Sequence, residues 1–394
     1  MPLANSFIQI TSINSAPTLT NIEAQPAVFV ENGAPAGLTG NLTVADPDDT
    51  LIESASVTIT NFVSGEDQLS FVAQPPINGF YTGNTLTLVG SASLAQYEAV
   101  LRSVAYTNTS DSPTGVTRTL SVVINDGNVN SNIATRDIEI SPLNDAPALS
   151  TIEGQPASYT EGGLPVGLTR NISVADIDDT LIESAQVTIN GNFASGQDLL
   201  LFTDQNGISG DYDSTTGVLD LTGTATKTIY ETALRTITYT NNSGNPSDLT
   251  RSISITINDG DINSNALSRD IEFTTTNDPP FVSGIEVLPV DYVENASDVG
   301  LTNGITLADV DDANFESATI AITSGYATGE DQLNFTDQNG IFGNYNPTDG
   351  ILSLSGSATV ADYQAALRSV TYSCLLYTSP SPRDRTRSRM PSSA

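Results

Sequence analysis

The chain has 394 residues, with 46 Asp and Glu against 13 Lys and Arg, a formal charge of −33 that repels nucleic acid and anionic membrane and attracts cations. It has no His, no Trp and one Cys, which excludes Ser-His and Cys-His nucleophile systems and any disulfide framework. Hydrophobic residues still make up 38% of the chain and alternate regularly, which predicts a folded chain rather than an acidic disordered one.

From the N-terminus, Met1 to Asn14 lacks the basic and apolar regions of a signal peptide, and no apolar run is long enough to insert directly into a membrane. Ile8-Gln-Ile-Thr-Ser-Ile-Asn14 is similar to Ile138-Glu-Ile-Ser-Pro-Leu-Asn144, so residues 1–13 read as the closing strand of a preceding repeat or as a leader. An acidic signature then recurs as Asp46-Pro-Asp-Asp, Asp176-Ile-Asp-Asp and Asp309-Val-Asp-Asp. The last two lie 133 residues apart, as do the joints Asn144-Asp-Ala-Pro147 and Asn277-Asp-Pro-Pro280. This period suits complete domains in series; solenoid units are far shorter. The expected division is repeat 1 over 14–143, repeat 2 over 144–276 and repeat 3 over 277–373.

Each repeat reads as β. Ser56–Thr60, Gln186–Asn190 and Thr319–Thr323 alternate, as do Leu120–Ile124 and Ile253–Ile257, and Asn78-Gly79, Asn206-Gly207, Asn339-Gly340 and Asp126-Gly127 supply turns. Many short strands between turns predict an all-β sandwich. One segment per repeat has helical spacing instead: Ser93–Arg102, Thr228–Arg235 and Val360–Arg368. Their Tyr97, Tyr230 and Tyr363 are expected core anchors. Arg102, Arg235 and Arg368 are expected to bond nearby carbonyls, because one Arg without basic neighbours makes a poor anion pocket. Asp67, Asp198 and Asp331 read as turn residues.

Copy three, aligned by Thr371-Tyr-Ser373 on Thr238-Tyr-Thr240, stops 36 residues short of the equivalent of Thr276 and is expected to lack its last two strands. From Cys374 to Ala394 the sequence back-translates to a sequencing adapter, so residues 374–394 are read as an artefact and set aside. Removing them removes four Arg and one Asp and leaves the remainder more acidic still.

Hard cations such as Ca2+ take six to eight oxygen ligands, more than one strand turn offers, so several segments must converge. Val30-Glu31-Asn32, Ala45-Asp46-Pro-Asp48, Asn125-Asp126-Gly127 and Asn144-Asp-Ala-Pro147 occur in the order and placement of the cadherin calcium elements. On these residues the chain, over 14–373, resembles the cadherin-like repeats of very large bacterial surface and secreted adhesins. The resemblance implies tandem cadherin/immunoglobulin-like β-sandwich domains, each with one short helix, in an extended extracellular array with calcium at the junctions. One junction would use Glu31, Asn144, Asp145, Asp176, Asp178 and Asp259. The next would use Glu161, Asn277, Asp278, Asp309 and Asp311, and Asp46, Asp48 and Asp126 would face a preceding domain through Asn14-Ser15. Glu294 stands where Glu31 and Glu161 stand. Glu53, Glu183 and Glu316 are open between ligand and solvated strand start.

Departures from the pattern are Pro142 and Thr275, where the connector usually begins with Asp, and the absence of a mid-domain Leu-Asp-Arg-Glu element. Glu98 and Glu231 lie near that element's place, and copy three has Gln364 there. The implied function is a calcium-stiffened spacer or adhesive module, with glycans or other surface proteins as partners. The alternative is a carbohydrate-binding module using Phe80, Tyr81, Tyr212 or Tyr345. A catalytic carboxylate pair would need a cleft that end-to-end sandwiches do not offer, so no enzyme is expected.

Overall fold

The computed structural model describes residues 13–115, 117–293 and 296–374. The readings placed on residues 1–12, on Glu294 and on 375–394 lie outside them.

The described residues are all-β with three short helices. In the first repeat a six-stranded sheet runs Ala27–Val30, Ala134–Ser141, Arg118–Asn125, Leu51–Thr60, Thr85–Ser93, Asn78–Thr82. Facing it is a three-stranded sheet of Ala36–Gly37, Ala105–Asn108 and Asp67–Ser70, and a small ribbon pairs Thr18–Thr20 with Thr43–Ala45. The second repeat reproduces this order strand for strand, from Ala157–Thr160 beside Leu267–Thr274 to Val218–Thr226 beside Ser209–Asp213.

Strict alternation explains the central strands. In Arg251–Asn258 every second residue is buried, so Ile253, Ile255 and Ile257 fill the core while Ser252, Ser254 and Thr256 sit on the other face. Sealing one such side chain from water contributes about 1.5–3 kcal/mol. The cores of the first two repeats are separate clusters of matching residues. Each is therefore built as a self-contained sandwich.

The helices Leu94–Arg102, Lys227–Thr236 and Val360–Arg368 fall where helical spacing predicts them. Ser93 and Gln96 form a capping box on the first, and Thr359 caps the third by accepting from the Asp362 amide. Tyr97, Tyr230 and Tyr363 are fully buried, and their hydroxyls donate to the carbonyls of Gly90, Gly223 and Gly356. Gly223 has φ +137, and a Cβ there would lie 2.2 Å from the Gly207 carbonyl oxygen, so only glycine fits. Arg102, Arg235 and Arg368 donate to the carbonyls of Leu42, Ile172 and Ile305, as expected of structural arginines.

Asp67 and Asp198 do more than shape a turn, which corrects the sequence reading. Each accepts its loop amide, from Val63 and Ala194, and also ion-pairs with a fully buried arginine across the sandwich. The Arg118 Nε to Asp67 Oδ2 distance is 2.7 Å and the Arg251 Nε to Asp198 Oδ2 distance is 2.9 Å. Tyr106 and Asn108, or Tyr239 and Asn241, donate to the other carboxylate oxygen.

The third repeat keeps the helix, the small ribbon Phe281–Ser283 with Thr306–Ala308, and the sheet of Val299–Gly300, Thr371–Cys374 and Asp331–Asn334. Among the described residues its larger sheet has three strands: Asn314–Ala321, Ile351–Thr359 and Phe342–Asn346. The alternation read over 319–323 thus ends as a strand at Ala321.

Candidate metal centre

Each Asp-x-Asp-Asp motif folds back on itself. The first Asp accepts the amides of the third and fourth positions: Asp176 Oδ1 takes Asp178 N at 3.2 Å and Asp179 N at 2.8 Å. Asp46 and Asp309 do the same. This Asx-type turn points three carboxylates inward, so that Asp46, Asp48 and Asp49, then Asp176, Asp178 and Asp179, then Asp309, Asp311 and Asp312, each offer oxygens within 4.8 Å of one another. The fourth-position residues Asp49, Asp179 and Asp312 were not singled out as ligands from the sequence. The repeated Asp-Asp pair was the signal for them.

The connector closes over this cluster. Asn144 Nδ2 donates to Asp259 Oδ2 at 2.9 Å and the Asp145 amide to Asp178 Oδ2 at 3.1 Å, joining the connector to two loops of repeat 2. From the other side, Glu31 Oε2 accepts the Leu143 amide at 2.8 Å. Glu161 accepts the Thr276 amide and Asp311 the Asp278 amide in the same way at the next junction. At the first pole Asn14 donates to Asp126 and Ser15 to Asp48, so the geometry is kept although Ser15 replaces the connector carboxylate. Asn277 bonds only the Asp278 carbonyl among the described residues.

The oxygens left over are the informative ones. Glu31 Oε1, Asp145 Oδ2, Asp176 Oδ2 and Asp178 Oδ1 are shielded from solvent and accept no hydrogen bond. So are Asp46 Oδ2 at the first pole and Glu161 Oε1 and Asp311 Oδ1 at the last. Buried ionised oxygens without partners are costly, and crowding like charges adds to the cost. Burial, with the neighbouring Asp178, pushes the Asp176 carboxyl above its ordinary value, although the Asp179 amide pulls the other way. Burial followed by the charges of Asp46, Asp48 and Asp126 does the same to Asp49. By contrast, the Asn14 side-chain amide and the Val129 amide hold Asp126 below the usual range. Burial pushes Asp259 up, but amides of Ile262, Asn144 and Asp261 outweigh it and hold Asp259 low. An all-oxygen set of carboxylates and connector groups fits a hard divalent cation.

Residues with open readings separate here. Glu98 Oε2 accepts the Val44 amide and Glu231 Oε1 the Val174 amide, and Gln364 Oε1 does the same for Leu307. The position needs an acceptor, not a charge, which is why glutamine serves in copy three. Glu53, Glu183 and Glu316 each sit at a bulge in the long central strand. Glu53 and Glu183 lie against Gly127 and Gly260, beside Asp126 and Asp259, whereas Glu316 accepts from Ser357. Lys227, the single lysine, was not placed by the sequence: its ammonium donates to the carbonyls of Asp176 and Asp179, behind the carboxylate cluster. Of the aromatic residues considered for sugars, Tyr81, Tyr212 and Tyr345 spend their hydroxyls on the carbonyls of Leu69, Asp198 and Asp331.

No protein-family model matches the chain. It is 25% identical over 399 residues to Halomucin of Haloquadratum walsbyi, a match that covers 92% of this chain and 4% of that protein. Solved structures with a likeness include mouse cadherin-23 EC22-24, at 11% identity and TM-score 0.32, covering 88% of this chain and 90% of that one. Others are human CDH23 EC21-23, at 15% identity and TM-score 0.27 over 87% and 90%, and the C-terminal domain of the Streptococcus agalactiae AgI/II polypeptide BspA, at 11% identity and TM-score 0.20 over 65% and 99%. The chain is thus an all-β protein of tandem repeats, similar along 92% of its length to a stretch that makes up 4% of Halomucin.

Proposed function

We propose that the chain is a calcium-binding spacer of a large extracellular surface or secreted adhesin, with the ions held where one repeat meets the next. The observation that carries this reading is the set of buried, unpartnered carboxylate oxygens on Glu31, Asp145, Asp176 and Asp178, which come from one repeat, its connector and the following repeat. Bound there, calcium supplies positive charge to carboxylates that otherwise repel one another. The chain's own groups do the positioning. The Leu143 amide orients Glu31, Asn144 orients Asp259, and the Asp145 amide draws Asp178 toward the connector. Ligands drawn from both sides of a joint restrict its hinge, so an acidic, self-repelling array becomes a rod of predictable reach.

The testing experiment is thermal unfolding of the full chain in millimolar calcium and in chelator, the concentration range in which extracellular calcium modules saturate. Calcium is expected to raise the midpoint by several degrees, and Asp176→Ala with Asp178→Ala to abolish the gain at that joint. A midpoint indifferent to chelator would reduce the acidic clusters to turn residues.

A further inference from the structure

Lys227 stands where local chemistry argues against a lysine. It is the first residue of the helix Lys227–Thr236, where the positive end of the helix dipole disfavours a cation, and it is the only lysine in the chain. The equivalent positions of the other two helices hold Leu94 and Val360. This helix also forgoes its cap. Thr226 makes no side-chain cap hydrogen bond, and Ile229 stands where Gln96 completes a capping box in the first repeat and where the Asp362 amide donates to Thr359 in the third. Two local rules broken at one helix end call for an offsetting gain elsewhere.

The gain lies in the turn that Lys227 reaches. Its ammonium donates to the Asp176 carbonyl at 2.7 Å and to the Asp179 carbonyl at 2.6 Å. Both acceptors are neutral, so the ammonium keeps its full charge to set against the carboxylates of Asp176, Asp178 and Asp179 on the same turn. That cluster is also the most enclosed of the three. All of its residues are partly buried, whereas Asp48 is exposed in the first repeat and Asp312 in the third. Its Asp176 Oδ2 and Asp178 Oδ1 are both shielded and unpartnered, against one such oxygen on Asp46 and one on Asp311. The lysine thus accompanies the cluster in which buried negative charge is greatest.

We propose that Lys227 is a resident counter-cation, which holds the acidic turn of repeat 2 together when no divalent ion is bound and opposes the ion that binds there. Without metal, the ammonium offsets part of the repulsion among the three carboxylates, so Asp178 stays in place to accept the Asp145 amide from the connector. With metal, the ammonium and the ion repel each other through the same turn, so calcium adds less at this joint than the carboxylate set alone would allow. The joint is thereby less dependent on calcium than its ligands suggest. The opposition to calcium rests on the metal reading above; the counter-charge in the ion-free turn does not.

The test compares the full chain with Lys227→Met, which keeps an unbranched stem without the charge, and with Lys227→Arg, which keeps the charge. In chelator at low ionic strength, Lys227→Met is expected to lower the unfolding midpoint of repeat 2 by several degrees. It should also speed exchange of the Asp178 and Asp179 amides, which donate to Asp176 Oδ1. Lys227→Arg should stay near the parent, and about 1 M NaCl, with its screening length of about 3 Å, should close most of the gap left by Lys227→Met. As calcium is added, the midpoint of Lys227→Met should begin to rise at severalfold lower calcium than the parent's and gain more in total. A Lys227→Met midpoint equal to the parent's in chelator overturns the proposal. So does a loss that neither salt nor arginine recovers, which would make Lys227 a packing strut. A calcium response in Lys227→Met that is present but equal to or weaker than the parent's also overturns it, since Lys227 would then preorganise the turn for the ion instead of opposing it. A chelator loss that salt recovers, with no calcium response in any of the three proteins, supports the counter-cation and counts against the metal reading alone.

Discussion

Arg251 and Asp198 meet at 2.9 Å with both side chains fully sealed from solvent, and Arg118 and Asp67 repeat the contact at 2.7 Å. The guanidinium of Arg251 also lies 4.8 Å over the ring of Phe273, and Tyr239 and Asn241 complete the shell of Asp198. The pair ties the strand Arg251–Asn258 of one sheet to Asp198–Leu201 of the other and so fixes their register.

Removing one partner strands the other charge in the core, so Asp198→Ala is expected to cost about 3–5 kcal/mol. Asp198→Leu combined with Arg251→Met should recover most of that loss. Calorimetry of the full chain would show the second repeat's transition falling in the single variant while the first repeat's transition stays. Equal loss in the single and double variants would count against the pair as the cause.

Glu31→Gln tests charge apart from geometry. The glutamine carbonyl can still accept the Leu143 amide, but the bare Oε1 loses its negative charge. The variant is expected to unfold in chelator at or slightly above the parent midpoint, because one repelling charge is gone, and to lose the calcium-dependent gain at that joint. A full calcium gain in Glu31→Gln would remove Glu31 from the ligand set.

Glu98→Gln should be nearly silent in calcium and in chelator, since Gln364 performs the same task for Leu307. Glu98→Ala should cost about 1–2 kcal/mol by leaving the Val44 amide unpaired. The ion pair of Glu98 with Arg102 is partly exposed and adds little. A calcium-binding defect in Glu98→Gln would instead make Glu98 a ligand.

Glu286 gives a pH signature away from the junctions. The Thr302 hydroxyl and then the Asn303 and Gly304 amides hold its carboxyl down at about 2, against an ordinary value of 4.5. The folded value lies below the unfolded one, so its contribution to stability is present above pH 4.5 and is lost as pH falls from there through about 2. The Gly304 amide resonance should titrate with a midpoint near 2, and Glu286→Gln should abolish the titration. A midpoint near 4.5 would show that these hydrogen bonds do not form in solution.

The sequence by itself determined what is periodic or local. The 133-residue period, the alternating strands, the three helices with their tyrosine anchors and the Asp-x-Asp-Asp turns depend on residues close in the chain, whose spacing records which side is buried. The recurrence of an acidic turn, a Glu and an Asn-Asp connector in fixed order was legible too, and the fold joins Asn144 to Asp259 and Asp145 to Asp178. Tertiary structure alone decided which partners meet. Asp198 looked like a turn residue until packing of the two sheets brought Arg251 to it from 53 residues away. Glu98 and Gln364 looked unlike until both proved to serve one strand amide. Likewise, only the fold shows that Glu31 has one oxygen satisfied and the other bare, since burial is a property of the assembled sandwich and not of any spacing.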